Sequence, residues 1–481
     1  MKPVTIRRLA GSTATGLTLL AAFVTSAQDA SELVTTAEAD GTTPLHWAVR
    51  FNDVGLAEQL LEAGANATAA NRYGVTPLYL AALNGSSDLI ERLLDAGANA
   101  NEVGSEGETV LMTVAQTGVV EAADVLIARG AEIDAREDWH GQTALMWAAA
   151  EGHSPMLERL IEAGASVDAM SNVREWERQS SDEPRAKWLP PGGLTALLYA
   201  AREGCTGCVR VLAEAGANLD QTTAEEISAI VLALINGYYD TAIALLEAGT
   251  DPNLYDYTGR GVLYAAADFN TMPMSNRPAP NVLGNEHSAI DVMRLALELG
   301  ANPNAQLTRQ APYRSKIDRG NDTVLTTGTT ALLRAAKAAD IPAIELLLEY
   351  GADASLATRS QANALMLAAG LGTAEQDTTG RFKNETDIVD TIDIMLGQGI
   401  DINAADNRGR TALHGAALMG FDEVVAALVE RGADLTLEDR SGYTPLDTAL
   451  GLAGGFGFTG GEGRVNESTV VLIENFLEDT K

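Results

Sequence analysis

Apolar residues along this 481-residue chain come in short bursts of helical spacing, two bursts to a unit, and the units return every 33 residues. "TPLH" at Thr43 comes back as "TPLY" at Thr76 and, in altered form, at Thr109, Thr143, Thr195, Ser228, Gly261, Thr330, Asn363, Thr411 and Thr444, giving eleven slots. A Thr hydroxyl just ahead of Pro or a small residue can accept from the free backbone N–H groups of a helix start. Pro44, Pro77 and Pro445 stand at the first helical position, so each slot predicts a helix N-terminus. Five and six residues later come paired small residues, such as Ala81–Ala82 and Ala416–Ala417, which would let neighbouring first helices approach closely. The second burst ends in paired apolar residues, Leu60–Leu61 or Leu347–Leu348, with a glycine three residues on. Gly64, Gly97, Gly130, Gly164, Gly216, Gly249, Gly300, Gly351, Gly399 and Gly432 hold that place, where a left-handed backbone would end the helix. Polar stretches such as "ANATAANRYG" then supply the turn to the next unit.

Two rulers locate every departure from the period. From slot to glycine is normally 21 residues, and from that glycine to the next slot 12. On this measure 19 extra residues follow Gly164, 18 lie between Gly261 and Gly300, 18 follow Gly300, and 15 lie between Asn363 and Gly399. The insertions fall near 171–193, 269–288, 306–327 and 371–386. Ser228, Gly261 and Asn363 replace the capping Thr, which makes the sixth, seventh and ninth units atypical at their starts. The segment 28–42 ahead of the first slot is too short for a unit and is expected to fray.

A helix, a tight connection, a second helix and an extended turn in 33 residues resemble the ankyrin repeat, and "TPLHWA", "LLEAGANA" and "TALHGAALMGFDEVVAALVERGADL" match that family position by position. The resemblance runs from about Gly41 to the C-terminus. It implies an all-α solenoid of about eleven helix-turn-helix repeats with projecting finger loops, covering 43–481, and a role in binding other proteins rather than in catalysis.

Charge narrows the partners. Lys and Arg number 33 against 66 Asp and Glu, a formal net charge of −33, which repels nucleic acid and anionic lipid surfaces. The same charge keeps a long Ala/Leu-rich array soluble as a monomer. The first 27 residues differ from the rest: Lys2, Arg7 and Arg8, the apolar run "GLTLLAAFV", then "TSA", which is the form of a secretory signal cleaved near Ala27. The run is shorter than the roughly 18 residues a spanning helix needs. Its removal takes away three positive charges and no negative ones, moving the formal charge to −36. The expectation is a periplasmic or secreted protein with no membrane insertion, exported by the general or the twin-arginine route.

A partner is expected on the concave face of the stack and the inserted fingers, and the candidate contact residues lie in the insertions, because tryptophan, tyrosine and arginine most often anchor interfaces. The stretch from Asn172 to Gly193 holds Trp176 and Trp188 with Arg174, Arg178, Arg185 and Lys187, and is neutral overall. The finger after Gly300 carries Arg309, Tyr313, Arg314, Lys316 and Arg319. Either these side chains meet a partner or they fold back on the acidic array; both can hold at once.

The only cysteines form "GCTGC", Cys205 and Cys208, at a predicted helix start. In an oxidising compartment a local disulfide is the plain reading, worth only about 2 kcal/mol for so small a ring. A helix N-terminus also lowers thiol pKa, which leaves open a redox-linked accessory role for an envelope enzyme. Val209 in place of His argues against haem attachment, and two thiols alone make an incomplete zinc site. "GFGFTG" at 455–460 has GxGxxG spacing but follows a helix rather than a strand, so it reads as a connection. His46 and His414 occupy the "TPLH" position, a structural hydrogen-bonding place, and His140, His153 and His287 are scattered. No HExxH, GxSxG or phosphate-loop motif is present, and no catalytic, cofactor or metal residue is assigned.

Overall fold

A computed structural model describes residues 34, 36–174, 191–271, 284–309, 324–372, 384–453 and 465–479. The described residues hold 22 α-helices in eleven pairs and no strand. They fall into two compact units, Met1–Arg174 and Glu175–Lys481.

The first unit contains four pairs: α1 (Pro44–Arg50) and α2 (Val54–Glu62), α3 (Pro77–Leu83) and α4 (Ser87–Asp95), α5 (Val110–Thr117) and α6 (Val120–Ala128), α7 (Ala144–Glu151) and α8 (Ser154–Glu162). First helices pack on first helices, α1 on α3 on α5 on α7, and second helices on second helices in the same order. The second unit repeats this with seven pairs: α9 (Ala196–Glu203) and α10 (Thr206–Glu214), α11 (Ala229–Ile235) and α12 (Tyr239–Glu247), α13 (Val262–Asn270) and α14 (Ala289–Glu298), α15 (Ala331–Ala338) and α16 (Ile341–Glu349), α17 (Ala364–Ala368) and α18 (Glu385–Gly397), α19 (Ala412–Met419) and α20 (Asp422–Glu430), α21 (Pro445–Ala449) and α22 (Glu467–Asp479). The paired alanines are the spacers between first helices: Ala81, Ala82, Ala416 and Ala417 are fully buried.

Each first helix starts one residue after its slot. Thr43, Thr76, Thr109, Thr143, Thr195, Thr330 and Thr444 accept from the N–H three residues on, and Ser228 and Asn363 do the same with hydroxyl and amide oxygens. Gly261 has no side chain to offer. It makes room instead, since a Cβ there would stand 2.7 Å from the Tyr255 ring.

The ten helix-ending glycines all have φ between 82° and 99°. An added Cβ would meet nothing within 4 Å at any of them, so backbone conformation alone calls for glycine there.

Successive repeats are also clasped by one finger side chain. Asn304 Nδ2 donates to the carbonyl of Gly351 (3.1 Å) while its Oδ1 accepts from Asp353 N–H (2.7 Å), so a single amide serves the carbonyl of the glycine just past α16 and the turn beyond it. Asn101, Asn253 and Asn403 make the same two-sided clasp. Asp134 and Asp220 can only accept.

Residues 36–42 are better tied than their length suggests. Asp40 C=O accepts from Arg72 N–H (2.8 Å), Glu38 N–H donates to Thr42 C=O (2.8 Å), and Trp47 Nε1–H donates to Glu38 (2.9 Å), so this piece sits as a partial finger against the first full one.

Candidate partner-binding surface

On α1, α3 and α7 none of the residues four, seven and eight places after the slot is buried. On α5 the first of these places, Thr113, is buried, and only Gln116 and Thr117 are not. α1 presents Trp47, Arg50 and, at its end, Phe51; α3 presents Leu80 and Leu83; α7 presents Trp147. Phe51 is 55% and Leu83 40% exposed. Trp47 and Phe51 stack with ring centroids 5.8 Å apart, and the Arg50 guanidinium stands over the Trp47 ring. The Trp147 indole N–H is enclosed and has no hydrogen-bond acceptor among the described residues.

The fingers extend this face. Backbone bonds run tip to tip, from Asp138 N–H to Glu106 C=O (2.9 Å) and from Asn172 N–H to His140 C=O (2.6 Å), which fixes the row. Two tips end in exposed aromatics, Tyr73 at 61% and Trp139 at 53%. Each carries a guanidinium, Arg72 lying 4.7 Å from the Tyr73 centroid and Arg174 5.0 Å from that of Trp139. Arg174 also donates to the Asp138 carbonyl (3.4 Å).

In the second unit the equivalent places are closed at three consecutive repeats. Every residue from Val262 to Phe269 on α13, from Ala331 to Ala338 on α15 and from Ala364 to Ala368 on α17 is buried. Charged side chains are enclosed with them: Arg334 Nε donates to Asp268 (2.7 Å), and Asn270 donates to the buried Asp340 (2.6 Å). Lys337, the one lysine among the described residues, is 3% exposed.

The family profile for ankyrin repeats, a three-copy description, matches residues 13–103, 78–171, 179–256 and 382–454, which together make more than half of the chain. The chain belongs to the ankyrin-repeat family. Its first match begins at residue 13, just ahead of the apolar run at 16–24. Among curated proteins, the Arabidopsis thaliana potassium channel SKOR is 49% identical over 57 residues, 12% of this chain and 7% of the channel. Serine/threonine-protein kinase 12 of the same plant is 43% identical over 67 residues, 14% of either chain. The Drosophila melanogaster neurogenic locus Notch protein is 36% identical over 91 residues, 18% of this chain and 3% of Notch. The chain thus spans only a small part of the relatives it matches. The crystal structure of the human ASB11 ankyrin repeat domain aligns with a TM-score of 0.41 at 20% identity, covering 54% of this chain and 99% of that one.

Of the residues the sequence nominated for contact, the ankyrin array describes two, Arg174 on the fourth finger and Arg309 on the seventh. Arg309 N–H donates to Thr258 C=O (3.2 Å) on the preceding finger. Its charge lies near Tyr257, whose phenol is held above its ordinary value by burial first and then by Glu225 and Asp256, with Arg260 and Arg309 pulling the other way. Trp176, Arg178, Arg185, Lys187, Trp188, Tyr313, Arg314, Lys316 and Arg319 lie outside the described residues. So does the "GFGFTG" stretch, which falls between α21 and α22.

Cys205 and Cys208 are joined as a disulfide in the structure. Cys205 caps α10, its Sγ accepting from Cys208 N–H, and Cys208 is buried. His46 and His414 are both buried in the capping position. Their pKa values are pushed below the ordinary histidine value by burial. Among the described residues no group of three or more His, Cys, Asp or Glu is arranged to hold a metal ion. No described helix is long and apolar enough to cross a membrane.

The sequence reading expected a partner on the concave face and fingers but singled out no residue of the first unit's open face. The signal for it was present, since Trp47 and Trp147 stand at the same distance from Thr43 and Thr143, but it shows only when the repeats are laid in register.

Proposed function

We propose that this ankyrin array is a non-catalytic protein-binding scaffold working outside the cytoplasm, and that its partner seats on the first-helix face and fingertips of the first four repeats. Ankyrin repeats are a protein-interaction architecture. The observation that carries the choice of face is the contrast between α1, α3 and α7, which offer Trp47, Phe51, Leu80, Leu83 and Trp147 outward, and α13, α15 and α17, whose equivalent places are all buried. Exposed aromatic and aliphatic side chains next to one another mark interaction surfaces. The inserted stretches near 171–193 and 306–327 add arginine and aromatic contacts in this reading, and the N-terminal 27 residues act as the export signal.

Affinity capture from the native envelope fraction tests it with three baits: the mature chain, Leu83→Arg, and a chain with Arg174 to Leu189 replaced by a short Gly/Ser turn. A partner held by the first bait and lost with Leu83→Arg supports the face. A partner lost only with the turn replacement moves recognition to the insertion, and one held by all three removes both. Sequencing the N-terminus of the exported protein tests cleavage near Ala27.

The cysteine pair enters as a local staple of the fifth repeat. With Cys208 buried, attack by a solvent thiolate has only Cys205 to reach.

A further inference from the structure

Three features of the open face point to the chemistry of what it receives. The first is its length. Stacked helices lie about 10 Å apart, so the path from Trp47 past Leu80 and Leu83 to Trp147 crosses three repeat spacings, about 30 Å. An extended chain covers that in about ten residues. The second is how the rings are already used. Trp47, Tyr73 and Trp139 each hold a guanidinium of this chain, Arg50, Arg72 and Arg174, against the ring, so three aromatic faces of this surface accept an arginine. The third is charge. Residues 34–174 contain three acidic residues for every arginine and no lysine. Arg92, Arg129 and Arg159 are spent on carboxylates of the second-helix layer, and Arg136 on the carbonyls of Met170 and Gly141. Glu38, Glu106, Asp138 and Glu151 stay exposed along the fingers and helix ends that rim the face.

We infer that the first-helix face of repeats one to four takes an extended cationic segment of a partner protein, about ten residues long, with apolar side chains seated on Trp47, Phe51, Leu83 and Trp147 and arginine or lysine between them facing the acidic rim. This deepens the functional reading above and rests on it. Apolar contacts set the register, and the rim selects the sign of the charge and speeds encounter.

The test uses the full mature chain and two synthetic peptides of about twelve residues, one alternating leucine with arginine and one alternating leucine with glutamate, with binding followed by calorimetry at low and moderate salt. The arginine peptide is expected to bind at least tenfold more tightly than the glutamate peptide and to weaken as salt rises. Because an acidic protein attracts any cation, site variants decide the matter. Phe51→Ala with Leu83→Arg is expected to weaken the arginine peptide tenfold or more. Glu121→Gln with Glu158→Gln, which removes two charges from the second helices, is expected to leave it within twofold. If the arginine peptide binds equally to both variant chains, the attraction is diffuse and the proposal is overturned. If the glutamate peptide binds as well and responds to Phe51→Ala with Leu83→Arg, the face stands as a binding surface but the cationic class falls. Binding of neither peptide also overturns the segment class, and the capture experiment then reports independently on the face.

Discussion

His414 Nε2 stands 3.0 Å from the carbonyl oxygen of Tyr443, the residue just ahead of the next repeat's cap, while Thr411 N–H donates to its Nδ1 at 3.2 Å. Nδ1 must therefore be the acceptor and Nε2 the donor, which fixes a neutral imidazole that caps its own helix and holds the following finger. His46 does the same with Thr43 (3.1 Å) and Val75 (3.0 Å).

A pH dependence follows. Burial first pushes both imidazoles below their ordinary value; around His414, Asp439 and Asp406 oppose and Arg410 reinforces the shift, and around His46, Asp40 opposes. A proton on Nδ1 would face the Thr N–H it now accepts. Since the folded pKa is lowered, the stabilisation is present above the unfolded value, about 6.5, and is lost as pH falls through the folded one. His287 has the opposite sign: its bond to Asp240 (2.8 Å) raises its pKa, so its small, exposed contribution is lost as pH rises. The urea midpoint is expected to drop between pH 8 and pH 5.5, and His46→Gln with His414→Gln to flatten that slope. An unchanged slope in the double variant would remove these residues from the account.

The helix-ending glycines separate backbone strain from crowding. Gly351→Ala meets no atom but must hold φ near 85°, so it is expected to cost about 1 kcal/mol, and Gly351→Asn less. Gly259→Ala adds a clash with the Gln306 carbonyl and Thr308 nitrogen, each 2.8 Å from the new Cβ, and is expected to cost more. Equilibrium urea unfolding of the three variants checks the order; equal losses for Gly351→Ala and Gly259→Ala would contradict it.

Asn304 clasps the next repeat through both amide atoms. Asn304→Asp keeps the acceptor for Asp353 N–H and loses the donor to Gly351, so a loss of about 1 kcal/mol is expected, with faster amide exchange confined to the finger around 351–355. Exchange accelerated across the whole second unit would show that the clasp holds more than one turn.

Asp268 and Arg334 form a buried ion pair on the closed face. Removing one partner takes a hydrogen-bonded opposite charge away from a buried one, so Asp268→Asn or Arg334→Met alone is expected to cost about 3–5 kcal/mol, and Asp268→Leu with Arg334→Met to recover most of it. Chemical denaturation of the two single variants and the double variant measures the coupling.

Much of the fold was legible because it is written locally. A capping Thr, a Pro at the first helical position and a glycine past the second helix each act within one turn of helix, and their spacing fixes eleven repeats without reference to anything distant. Which face is open was not legible. Trp47 and Arg334 stand at the same place after their slots, yet one is half-buried and the other fully enclosed. That difference depends on the surroundings of the helix, which a repeat pattern does not encode. Attention to tryptophans in the irregular stretch led to Trp176 and Trp188 and away from Trp47, Trp139 and Trp147, which look ordinary within the pattern.

The central claim is that the first-helix face is available in repeats one, two and four and closed in repeats seven to nine. Because the two native cysteines are paired in the structure, single cysteines replacing Leu83 and Lys337 can be compared directly by their rate of maleimide labelling in the native chain, alone and with a captured partner. The account predicts rapid labelling of Leu83→Cys, labelling of Lys337→Cys slower by at least a hundredfold, and protection of position 83 by the partner. Equal rates at the two positions, or a bound partner that leaves position 83 unprotected, would contradict it.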